Sequence, residues 1–145
     1  MVAAQGAAVA VAAAFFALGI AGFVPGLTTH LELLRWHGGT PAPRLLGTFE
    51  VSVLHNLLHL LFGVIGLLMA RTFGRARIYL LGGGLIYLGL WLYGLLDADL
   101  RAAVPLNNAD NWLHLAIGVV MLILGLTLAG TRVPTGADGE VLIPE

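Results

Sequence analysis

The chain has 145 residues, of which 59% are hydrophobic and 10% charged, with a mean hydropathy of +0.93 and a net charge of −1. Soluble domains carry about 25% charged residues, so a water-dissolved globular domain is excluded, and the absence of Lys and of any strong charge excess argues against nucleic acid as a partner. Cysteine is absent, which removes disulfides, thiolate metal sites, thiol catalysis and covalent haem attachment.

A helix that crosses the hydrocarbon layer needs about 20 mostly apolar residues, and four stretches reach that length. The first covers about 2–24, is interrupted only by Gln5 and stops at Pro25-Gly26. No Lys or Arg precedes Arg35, and the run exceeds the apolar core of about 7–15 residues found in a cleaved leader, so it is read as a retained span. Its small residues Ala3, Ala7, Ala10, Ala14, Ala17 and Ala21 predict close helix packing. The long connection 25–50 follows. There Thr29-His30-Leu31-Glu32 fits a capping box, which predicts a short interfacial helix over about 29–37 with Trp36 at headgroup level, broken by Gly38-Gly39-Thr40-Pro41-Ala42-Pro43.

The second run covers about 51–70 and ends at Arg71. The third, about 78–96, carries Gly82-Gly83-Gly84, Gly89 and Gly94, and the fourth covers about 111–129. Polar residues 131–145 are read as a disordered tail. Unpaired backbone is not tolerated in lipid, and the runs lack the alternation of barrel strands. The expected fold is therefore all-α: an integral membrane four-helix bundle in one domain, 1–130. Arg71, Arg75 and Arg77 crowd the short link between runs two and three, which the positive-inside rule places in the cytoplasm. Both termini then face the cytoplasm, with Arg132 on that side and Arg35, Arg44 and Arg101 on the other.

The second and fourth runs open alike. His55-Asn56-Leu57-Leu58-His59-Leu60-Leu61-Phe62-Gly63-Val64 and Asp110-Asn111-Trp112-Leu113-His114-Leu115-Ala116-Ile117-Gly118-Val119 match at six of ten positions with a constant offset of 55. A weaker echo links Leu18-Gly19-Ile20 with Leu88-Gly89-Leu90. An internal duplication into two helical hairpins of the same orientation is the expected origin. It places His59 and His114 at similar depth, with His55, Asn56, Asp110 and Asn111 within about one turn of them. Such polar faces are expected to point into the bundle.

Four readings of this cluster follow. In the first, Asn56, Asn111 and the two imidazoles are structural, hydrogen-bonding between helices, while Asn107, Asn108 or Asp110 caps the fourth helix. In the second, His55, His59, Asp110 and His114 ligate a divalent metal, the first two and the last two each at i, i+4 spacing. In the third, His59 and His114 are axial ligands of haem b. In the fourth, the cluster lines a path in a small transporter subunit. The first is preferred. It implies no catalytic residue and no cofactor, with the lipid bilayer as surroundings and a second copy or another membrane protein as partner. Glu50 is expected at the outer interface, Tyr79, Tyr87, Tyr93 and Trp91 in packing or belt roles, and His30 and His37 in a solvated loop.

Three segments carry a family resemblance: Gly22-Phe23-Val24-Pro25-Gly26, Leu54-His55-Asn56-Leu57-Leu58-His59-Leu60-Leu61-Phe62-Gly63 and Asn108-Ala109-Asp110-Asn111-Trp112-Leu113-His114-Leu115. In this order they resemble the bacterial membrane family labelled domain of unknown function 4383, found largely in actinobacteria, over about residues 15–130. The resemblance implies a four-helix protein of the bacterial plasma membrane and implies no activity.

Overall fold

The computed structural model describes residues 2–96 and 106–128. Among them lie four α-helices: α1 (Ala3–Ala21), α2 (Val53–Met69), α3 (Phe73–Gly94) and α4 (Asn108–Thr127). A minute antiparallel sheet, β1 (Thr28–Thr29), β2 (Arg44–Leu45) and β3 (Phe49–Glu50), sits between α1 and α2. Helices α1, α3 and α4, of 19, 22 and 20 residues, are long and apolar enough to cross a membrane. Helix α2 is shorter, at 17 residues, because Ser52 caps it and the chain turns at Ala70–Thr72. The expected tail 131–145 and Arg101 and Arg132 lie outside the described residues.

Helix α1 packs chiefly on α2 and α3 chiefly on α4, and α1 and α3 form the larger seam between the pairs. Small residues make the first pairing close. Ala4, Ala8, Ala12, Phe15 and Gly19 line the buried stripe of α1, and Gly63 of α2 lies so near that an added Cβ would stand 2.8 Å from the Ala12 carbonyl oxygen. The bulky apolar side chains Leu57, Leu61, Leu68, Leu85, Ile123 and Leu126 face outward, an arrangement suited to a hydrocarbon solvent and unfavourable in water.

Helix ends leave backbone groups that lipid cannot satisfy. Gln5 meets this need twice. Its side-chain oxygen accepts from Val2 N at the start of α1, and its amide donates to Ala70 O (3.0 Å) and Arg71 O (2.9 Å) at the end of α2. Arg77 does the same across the other pair, its Nε donating to Gly125 O near the end of α4 at 2.9 Å. Thr72 caps α3, so the helix begins at Phe73 rather than near 78, and Arg75 and Arg77 lie in its first turns.

The connection 25–50 is not the interfacial helix expected over about 29–37. Only a single 3-10 turn, Leu31–Leu33, forms there, and its cap His30 lies in the left-handed region (φ 53°) without a side-chain cap bond. The capping-box string is overridden by strand pairing: Thr29 pairs with Arg44, and its hydroxyl donates to Arg44 O at 3.2 Å. Strands β2 and β3 form a hairpin through Leu46-Gly47-Thr48, where Leu46 (φ 52°) and Gly47 (φ 69°) supply the left-handed turn.

Replacing Gln5 with Ala should leave carbonyls at the end of α2 open and lower stability by about 1–3 kcal/mol. Unfolding in mixed detergent micelles measures this; an unchanged midpoint would show that the clasp contributes nothing.

Candidate functional site

The polar residues singled out above gather where α2 and α4 begin, under the 25–50 connection. Helix α2 has its first four amides satisfied. Val53 N and Leu54 N donate to Arg35 O and Trp36 O in the connection, His55 N donates to the Ser52 hydroxyl and Asn56 N to Ser52 O. On α4, Asn107 is the cap. Its side-chain oxygen accepts from Asp110 N at 2.8 Å, while Asp110 Oδ2 accepts from Asn107 N at 3.0 Å. The same carboxylate oxygen accepts from Glu50 N at 3.1 Å, and the Asn107 amide donates to Thr48 O at 2.6 Å. Asp110 therefore closes its own helix and ties it to β3.

Between the two helices stand three imidazoles. The His55 ring lies 4.5 Å from that of His59 and 6.3 Å from that of His114, centroid to centroid. Sequence symmetry paired His59 with His114; the structure makes His55 the ring neighbour of both. Phe15 packs on His59 at 5.6 Å and on Tyr87 at 5.0 Å, and Tyr87 packs on His114 at 5.3 Å. Tyr87 thus has the packing role expected of it, but inside the cluster. Phe15 was missed because one Phe in an Ala-rich apolar run carries no mark of its neighbours.

Asn56 and Asn111 do not bond across helices as the structural reading expected. Both Asn56 amide atoms and Asn111 Oδ1 are buried without a hydrogen-bond partner. Each amide instead fills a notch at a glycine of the neighbouring helix. An added Cβ at Gly22 would overlap the Asn56 amide, and one at Gly94 would overlap that of Asn111. The glycine Cα therefore lies directly against the amide group in both pairs. The two contacting glycines, Gly22 and Gly94, lie 72 positions apart, whereas Leu18-Gly19-Ile20 and Leu88-Gly89-Leu90 are offset by 70.

Two small cavities, of about 20 and 60 Å³, flank the imidazoles. His55, His59, Asp110 and His114 all border the smaller. Yet among the described residues no group of three or more His, Cys, Asp or Glu is placed to hold a metal ion; Asp110 is turned to its own helix start. Pockets that enclose a ligand of cofactor size run to about 300–1,000 Å³, so neither cavity has room for a haem between His59 and His114.

Helices this long and apolar define a small helical membrane protein. The chain belongs to the family described as Domain of unknown function (DUF4383), which it matches over residues 5–127. No curated protein and no solved structure matches it.

Asp110→Ala should unpair two backbone amides and cost about 2–4 kcal/mol, and Asp110→Asn, which keeps an acceptor oxygen, should cost less. Unfolding midpoints in mixed micelles give both; equal losses would deny the carboxylate its cap. Gly22→Ala and Gly94→Ala should each destabilise by about 1–3 kcal/mol through overpacking against the asparagine. In each case Asn→Ala in the same chain should recover part of the loss.

Proposed function

We propose that this chain is a multi-pass protein of the bacterial plasma membrane, built from two duplicated helical hairpins, whose role is structural or interactive rather than catalytic. One observation carries the non-catalytic reading. The acid in the polar cluster is taken up by structure: Asp110 Oδ2 accepts two backbone amides. The asparagines are likewise seated in glycine notches, and the two cavities against the imidazoles are only about 20 and 60 Å³. Neither of these two cavities by itself encloses a whole substrate. The duplication is supported by the matched Gly22–Asn56 and Gly94–Asn111 contacts. The orientation is supported by charge. Arg71, Arg75 and Arg77 are all exposed and crowded into the short α2–α3 end, while the described arginines of the opposite end, Arg35 and Arg44, are spread over the long 25–50 connection.

The chain has no cysteine, so single cysteines report topology without background. Arg71→Cys should react with a membrane-impermeant maleimide only after cells are permeabilised, and Glu32→Cys in intact cells. The reverse pattern would invert the protein, and labelling of both in intact cells would overturn the multi-pass reading.

A further inference from the structure

A groove of about 220 Å³ opens on the flank of the molecule between α1 and α4, bordered by Val11, Ala14 and Leu18 on one side and Ala116, Ile117 and Val120 on the other. Every residue lining it is apolar. Leu18 and Ile117 also border the small cavity below the connection, which holds His55, His114 and Asp110. The apolar groove and the polar cavity therefore share these two side chains. His55 and His114 are only 7% and 4% exposed, and the Nδ1 atom of each is buried without a hydrogen-bond partner. Such atoms are costly to leave unpaired, the more so where water is scarce.

We propose that groove and cavity form one binding site for a membrane-dissolved amphiphile with a single apolar chain and an uncharged hydroxyl head. Size selects the head. The cavity of about 20 Å³ has room for roughly one water-sized group, which excludes a phosphate or a sugar. Charge selects it further, because the carboxyl groups of Asp110 and Glu50 both border the same cavity while the single described cation beside them, Arg44, is paired to Glu50 at 3.6 Å and does not border it, which disfavours an anion. A hydroxyl both donates and accepts, so it serves one imidazole as acceptor and the other as donor. The tail follows from the groove, which extends from Leu18 to Val11, roughly 10 Å along α1, and opens sideways to where lipid-soluble molecules reside.

The site requires the helices to lie in lipid but not the orientation proposed above, so an inverted topology leaves its test intact. Protein labelled with ¹⁵N-histidine in lipid nanodiscs is titrated at pH 8 with 1-decanol, decane or decanoate. Decanol should shift the His55 and His114 ring nitrogens saturably, and decane and decanoate should not. Ala116→Phe, which narrows the groove, should weaken the decanol midpoint at least tenfold. Ile123→Phe, on an outward face, should leave it unchanged. Should Ala116→Phe fail to fold, Ala14→Leu on the facing wall carries the same expectation. A shift that never saturates, an equal response to decane (bulk lipid alone in the groove), an equal response to decanoate, or a midpoint indifferent to the groove variants would each overturn the proposal.

Discussion

Hydrocarbon offers no hydrogen bond to a helix end, and this structure is organised around supplying those bonds from within. One group that does so is the Asp110 carboxylate, whose Oδ2 takes the amides of Asn107 and Glu50. That oxygen closes α4 and fastens the helix to β3 at once. The rest of the connection does the same for α2, lending the carbonyls of Arg35 and Trp36 to Val53 and Leu54. The small sheet thus serves as a cap over two helix starts. At the other end Gln5 and Arg77 do this work for α2 and α4 with single side chains.

Within the helices, packing rests on close approach rather than on hydrophobic driving force, which lipid tails remove. Ala12 against Gly63 and Leu88 against Gly118 bring backbones together. The asparagine side chains complete the seams by occupying glycine notches, one in each hairpin. Polar side chains placed this way fix the longitudinal register of a pair, since a slip of one turn would drive an amide into a side chain instead of a gap.

Much of this was legible in the sequence, and the reasons are physical. Hydropathy accumulates over a window, so all four runs were visible, as was the family through its ordered motifs. Boundaries moved by several residues because caps set them: Ser52 shortened α2, and Thr72 lengthened α3. The Thr29–Glu32 string failed as a helix start because pairing with Arg44, fifteen residues away, outcompeted it. Gln5 was visible as the only polar residue of its run, but its partner lies 65 positions downstream and no local pattern announces that. The His and Asn positions were found through the match between the two strings that open α2 and α4. Their contacts were not, because a one-dimensional match between Asn56 and Asn111 cannot reveal Gly22 and Gly94 as the opposing surfaces. His55 as the central ring also escaped, since symmetry argued for equivalent residues facing each other.

The Gln5 clasp joins the beginning of α1 to the end of α2, so its three bonds lie within residues 2–71. During synthesis on the ribosome this half has all its mutual partners as soon as Arg71 has emerged, before any of α4 exists. The first hairpin therefore has the end of α2 covered before α4 is made, and only the Thr48 carbonyl and the Glu50 amide wait for Asn107 and Asp110 to arrive.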